Sequence, residues 1–192
     1  LAQALEYISQ HTMLNEVILS GGDPLLSTDE SFHYLLNQLQ TIAHIKTLRL
    51  HSRVPIVLPQ RITQNWLKLF KNTTLHKVMV VHTNHPNELT EQTRQVFSAL
   101  KSANFHLLNQ SVLLKNINDN ADVLVNLSWK LFDQSVLPYY LHLLDKVQGT
   151  QHFAVTEKKA KLIYQELQKK LSGYLLPKLV KEDPDKGHKT LY

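Results

Sequence analysis

Glu16-Val17-Ile18-Leu19-Ser20-Gly21-Gly22-Asp23-Pro24-Leu25 is a β-rich apolar run, then a glycine pair, then an acid and a proline that lead into a helical stretch. Glycines at a strand-to-helix turn let the backbone approach a ligand closely and leave N–H and C=O groups free for an amine or carboxylate. On its own the same pair also reads as an ordinary tight turn.

Outward from this turn, short apolar runs alternate with helical patterns. Strands are predicted at Glu16 to Ser20, Thr47 to Ser52, Lys77 to His82, His106 to Gln110 and Tyr139 to Leu143. Phe32, Leu35, Leu36, Leu39, Ile42 and Ala43 form a helical stripe behind a Ser27-Thr28-Asp29-Glu30 capping box. Leu89, Thr93, Val96, Phe97 and Leu100 form another, and Ile163, Leu167 and Leu171 a third, after Thr156 as N-cap. About five strand-helix units, roughly thirty residues apart, are fewer than the eight of a closed barrel, so the expected fold is α/β, an open, partial TIM-like barrel of parallel units. In such sheets functional residues sit where strands end, here Gly21-Gly22-Asp23, His51-Ser52-Arg53, His82-Thr83-Asn84-His85, Asn109-Gln110 and His142 with Asp145.

A length of 192 residues, 43% of them hydrophobic, supports one substantial core, and a single domain over 1–192 is expected. No apolar run is long enough for a bilayer-spanning helix, and no signal segment opens the sequence, which reads as cytoplasmic. Without cysteine, disulfides and thiolate metal sites are excluded within these residues. The net charge of +5 is concentrated from Lys158 to Lys189, a solvated helix face or a surface for acidic partners. Leu1 to Ile8 opens in mid-helix by its apolar spacing, so a fragment truncated at its N-terminus is expected.

Two further constellations stand out. His51, His82, His85 and His142, with Asp145, bring imidazoles and a carboxylate to strand ends, as a divalent-metal-dependent barrel hydrolase would; the alternative is contacts to backbone or an organic cofactor. Arg53 and Arg61 lie on a segment stiffened by Pro55 and Pro59, suited either to a carboxylate or phosphate, or to bracing the loop.

Several of these stretches resemble, in order, motifs of the lysine 2,3-aminomutase family of radical S-adenosylmethionine (SAM) enzymes. Ser20-Gly21-Gly22-Asp23-Pro24 is similar to the segment that holds the methionine amino group of SAM. Arg53-Val54-Pro55-Ile56-Val57-Leu58-Pro59-Gln60-Arg61-Ile62-Thr63, Asn84-His85-Pro86-Asn87-Glu88 and Asn109-Gln110-Ser111-Val112-Leu113-Leu114-Lys115-Asn116-Ile117-Asn118-Asp119 resemble three more, with Asn116 where a glycine is usual, so that asparagine must adopt any left-handed conformation needed there. Asp145 and Glu182 match carboxylates that grip the substrate ε-ammonium group. Lys189 matches the lysine that binds pyridoxal 5'-phosphate (PLP), in a segment of about 172–192. Asp185-Lys186-Gly187-His188 replaces the family's glycine run there, while Tyr174, Pro177 and Pro184 keep the register. An amine of this kind is expected beside burial or cationic neighbours.

Pro138-Tyr139-Tyr140-Leu141-His142 and Tyr174-Leu175-Leu176-Pro177 look most like the branch that serves β-lysylation of elongation factor P. The resemblance implies an isomerase converting (S)-α-lysine to (R)-β-lysine. Its cofactors would be SAM, PLP and a 4Fe-4S cluster whose cysteines are expected before Leu1, leaving the fragment alone inactive. Gly21, Gly22 and Asp23 would hold SAM; His85, Gln110, Arg53 and Arg61 would contact SAM or PLP; Asp145 and Glu182 would select lysine. Implied partners are L-lysine, elongation factor P and its lysyl ligase, with no membrane or direct nucleic acid, and homo-oligomerisation left open. A non-catalytic ligand-binding remnant is the other reading besides the hydrolase.

Overall fold

The computed structural model describes residues 1–145, 147–182 and 187–192. They group into two compact units, residues 1–81 with 95–107, and residues 82–94 with 108–192.

In the first unit, helix α1 (Ala2–Gln10) precedes β1 (Glu16–Leu19), α2 (Asp29–Gln40), β2 (Thr47–Ser52), the short α3 (Val54–Val57), α4 (Gln64–Leu69) and β3 (His76–His82). Strands β1, β2 and β3 pair in parallel, with Leu19 opposite Leu50 and Leu50 opposite Met79. Alternation along β2 decides its two faces. Leu48, Leu50 and Ser52 are buried, and Thr47, Arg49 and His51 lie half-buried on the other side. The α2 stripe buries Phe32, Leu35, Leu36 and Leu39. The N-cap is Thr28, whose hydroxyl accepts Ser31 N–H, one residue later than the expected box: Ser27 and Thr28 are chemically equivalent caps, and packing of the stripe selects the second. An aromatic cluster fills the space between α2 and α4, with ring centroids 5.6 Å apart for Phe32–Trp66, 4.6 Å for Trp66–Phe70 and 5.0 Å for Phe70–Phe105. Each buried ring contributes about 1.5–3 kcal/mol by area.

Helix α5 (Glu91–Ser102) leads to β4 (Phe105–Leu113), which is longer than predicted at both ends. The second unit continues with α6 (Ala121–Asp133), β5 (Leu137–Leu143), α7 (Glu157–Lys170), β6 (Lys178–Lys181) and β7 (Thr190–Leu191). Strand β5 lies parallel to β4 and β6, while β7 returns antiparallel to β6 with Val180 opposite Leu191. Thr156 caps α7 as expected, accepting Lys159 N–H at 3.3 Å. One face of this sheet packs Leu113, Leu141, Leu143 and Leu179 against Leu124, Ile163 and Leu167. The opposite face carries Gln110, Tyr140 and His142, all half-buried. The register between β4 and β5 shifts at Asn109/Gln110, a bulge of the sort that re-aims a side chain near a site.

Candidate functional site

In the first unit the chain turns at the end of β1 through Gly21 (φ 90°) and Gly22 (φ 56°), backbone angles that favour glycine. Nothing lies within 4 Å of where a Cβ would stand at either residue, and both residues are exposed. A cavity of about 310 Å³ opens beside the turn, lined in part by Ser20, Gly21, Ser27 and Ser31.

Asp23 anchors this turn. Its Oδ1 accepts Ser52 Oγ–H at 2.6 Å and Leu25 N–H at 3.1 Å, and its Oδ2 accepts Arg53 N–H at 2.8 Å. The buried Ser52 Oγ in turn accepts Val54 N–H at 3.0 Å, so the ends of β1 and β2 are tied through one carboxylate. Arg61 faces the protein: Nε donates to Leu25 O and Nη2 to Ser27 O, both at 2.8 Å, with Asp29 paired at 2.8 Å. Of the two uses open to that arginine, the geometry is that of a loop brace. Arg53 is exposed and presents its backbone amide to Asp23.

The second unit holds the other candidates. His85 Nδ1 accepts Asn87 N–H at 3.2 Å, which puts the proton of the neutral ring on Nε2. Glu88 Oε1 accepts the amides of Asn84 and His85 at 2.8 and 2.9 Å, fixing that turn. Behind it Asn118, fully buried, donates to Asn84 O and Val112 O and accepts Leu114 N–H. Asn116 has φ 63°, the left-handed conformation its glycine-like place requires, and its N–H reaches Asp119. Gln110 Nε2 donates to His82 Nε2 at 2.9 Å, leaving the His82 proton on Nδ1.

Lys189 Nζ pairs with Glu182 and lies 5.7 Å from the centre of the Tyr140 ring. Its side chain is 34% exposed, so the amine lies partly buried with a carboxylate beside it. Tyr140 in turn meets His142 edge-on, centroids 5.6 Å apart. Burial, reinforced by the charge of Lys189, lowers the His142 pKa to about 4, so the imidazole is neutral at pH 7. Its buried Nε2 has no hydrogen-bond partner among the described residues. Asp145 is exposed just beyond β5. Pro184 and the Asp185-Lys186 substitution lie outside the described residues.

Among the described residues no group of three or more His, Asp or Glu is placed to hold a metal ion, so the hydrolase reading lacks its ligand set. Ser52 was placed at the strand-end rim without a role, and Tyr140 was missed as a site residue. The period-2 alternation of β5, which puts Tyr140 on the His142 face, was the available signal for the latter.

No family model matches the chain. It is 50% identical over 189 residues to an L-lysine 2,3-aminomutase of Haemophilus influenzae, covering 98% of this chain and 56% of that protein. The same enzyme of Escherichia coli is 51% identical over 187 residues (97% and 55%), and that of Clostridium subterminale 39% over 189 residues (98% and 45%). The chain is homologous to the L-lysine 2,3-aminomutases. It spans about half the length of the curated relatives it matches. Among solved structures, a domain of pyruvate-formate lyase-activating enzyme from Bacteroides vulgatus superposes with a TM-score of 0.56 at 13% identity, covering 88% of this chain and all of that one. The likeness bears on the fold alone, and it agrees with the expected α/β class of parallel strand-helix units in a partial TIM-like barrel. No helix among the described residues is long and apolar enough to cross a membrane.

Proposed function

We propose that the chain is the SAM-, PLP- and lysine-binding part of a lysine 2,3-aminomutase that makes (R)-β-lysine for elongation factor P. The observation that carries this reading is Lys189, a reachable amine beside an aromatic ring, a carboxylate and a neutral imidazole. When bound, PLP supplies an electron-accepting ring, and SAM with a reduced 4Fe-4S cluster supplies the radical.

The residues present suit the two organic groups. Gly21 and Gly22 offer unobstructed backbone to the SAM amino group, and Asp23, braced on Ser52 and Arg53, keeps them aimed. Arg61 acts at one remove by bracing the loop that follows, while the Arg53 guanidinium remains the candidate for a carboxylate or phosphate. His85 presents an Nε2–H and Gln110 a free amide oxygen, one donor and one acceptor for cofactor edges. Neutral His142 has an unmatched ring nitrogen that a ligand atom would satisfy. Glu182, today the partner of Lys189, and exposed Asp145 are the carboxylates for a substrate ammonium group. An incoming lysine ammonium would replace Lys189 at Glu182 and free the Lys189 amine to react. With no cysteine, these residues do not fit an iron-sulfur cluster.

The test is to add PLP to the protein, reduce with borohydride and map the modified lysine by peptide mass. Modification concentrated at Lys189 and abolished in Lys189→Ala is expected. Labelling spread over surface lysines and unchanged in that variant would overturn the assignment.

A further inference from the structure

At the opposite, amino ends of the first-unit strands lies a second cavity of about 400 Å³, and three of its lining residues are Lys68, Lys71 and Lys77. Lys77, the second residue of β3, is only 7% exposed. Its Nζ donates to Phe70 O, the C-cap carbonyl of α4, at 3.2 Å and lies 5.7 Å from the Phe105 ring centre. That carbonyl uses one of three N–H donors, and burial lowers the lysine's pKa for want of further stabilisation. None of the three lysines is ion-paired among the described residues, and no acid lines the cavity. By contrast Lys159, Lys169, Lys170, Lys181 and Lys189 each meet a carboxylate.

Three unpaired ammonium groups around one concavity, one of them desolvated, call for an anion. Arginine forks suit flat carboxylates, whereas lysines act as point charges that can converge on a tetrahedral oxyanion from several directions. Gln64, Ser102 and Asn104 add neutral polar groups at the wall, and the volume falls in the range of small-molecule sites, about 300–1,000 Å³. We propose that this cavity binds a small phosphate-bearing anion, its phosphate on Lys77 and its outer charge on Lys68 and Lys71. The site is independent of the glycine turn and of Lys189, so it stands whether or not the aminomutase reading does.

Calorimetric titration with inorganic pyrophosphate and, separately, ribose 5-phosphate, at constant ionic strength, tests it. Saturable binding at one site per chain is expected for at least one probe. A stronger response to pyrophosphate marks a site for inorganic polyphosphate, and a stronger response to the sugar phosphate marks one for a phosphorylated metabolite. Lys77→Met, which keeps the apolar stem, should weaken binding at least tenfold. Lys68→Gln/Lys71→Gln, at exposed positions where folding is not at risk, should weaken it several-fold, and Lys101→Gln, outside the cavity, should not change it. Absence of saturation with both probes, or equal weakening by the Lys101 change and by the Lys68/Lys71 pair, would overturn the proposal.

Discussion

Replacing Asp23 by alanine tests whether one carboxylate holds the Gly21-Gly22 turn in shape. The change removes the acceptor of three hydrogen bonds, from Ser52 Oγ, Leu25 N and Arg53 N. Bonds to a charged group contribute about 1.5–3 kcal/mol each, but Asp23 is half-buried and water can reach the exposed Arg53 amide, so about 1 kcal/mol per bond is the better value. Asp23→Ala should therefore cost about 3 kcal/mol. Asp23→Asn keeps Oδ1 for Ser52 and Leu25 but turns an amide N–H₂ toward Arg53 N–H, for a cost of about 1–2 kcal/mol. Urea denaturation followed by fluorescence reads these values, since Trp66 is fully buried in the same unit. A double-mutant cycle with Ser52→Ala isolates the 2.6 Å bond and should give a coupling of about 1 kcal/mol or more. A loss below about 0.5 kcal/mol for Asp23→Ala, together with zero coupling, would refute the anchoring argument.

Other outcomes follow from the second unit. His142 titrates at about 4 when folded and near 6.5 when unfolded, so its contribution is complete above about pH 6.5 and is lost as pH falls toward 4. The stability difference between the protein and His142→Gln should shrink over that window by up to about 3 kcal/mol, less whatever solvent screening removes; a flat difference would contradict it. Asn118→Ala strips two carbonyls and one amide of their partner inside a fully buried site and should cost about 3 kcal/mol by denaturant melting, with Asn118→Asp also destabilising because it loses both donors.

The residues explain what could be read in advance. Strand β2 matched its predicted bounds, Thr47–Ser52, because alternation and flanking polar residues agree there. The left-handed Asn116 was legible because a glycine position leaves asparagine little choice. The family motifs singled out Asp23, His85, Gln110, Glu182 and Lys189 as candidates, but not what each side chain touches. Arg61 turns onto Asp29 and two carbonyls from residues more than thirty positions away, contacts that only the folded loop creates. Strands β6 and β7 escaped prediction because four and two residues carry no measurable period, and their pairing is a tertiary event. Lys77 was legible only as the start of a strand; that its Nζ meets the Phe70 carbonyl and the Phe105 ring is a tertiary event.

The Lys189 amine owes its position to β7, a strand two residues long paired with β6 at Val180–Leu191 and Lys181–Thr190. So short a ladder opens at a far smaller free-energy cost than the leucine core beneath β5, and a slip of a single residue would turn the amine to the other face. On the role proposed for Lys189, warming should thus end pyridoxal phosphate labelling of this amine at temperatures where the aromatic cluster around Trp66 is still intact.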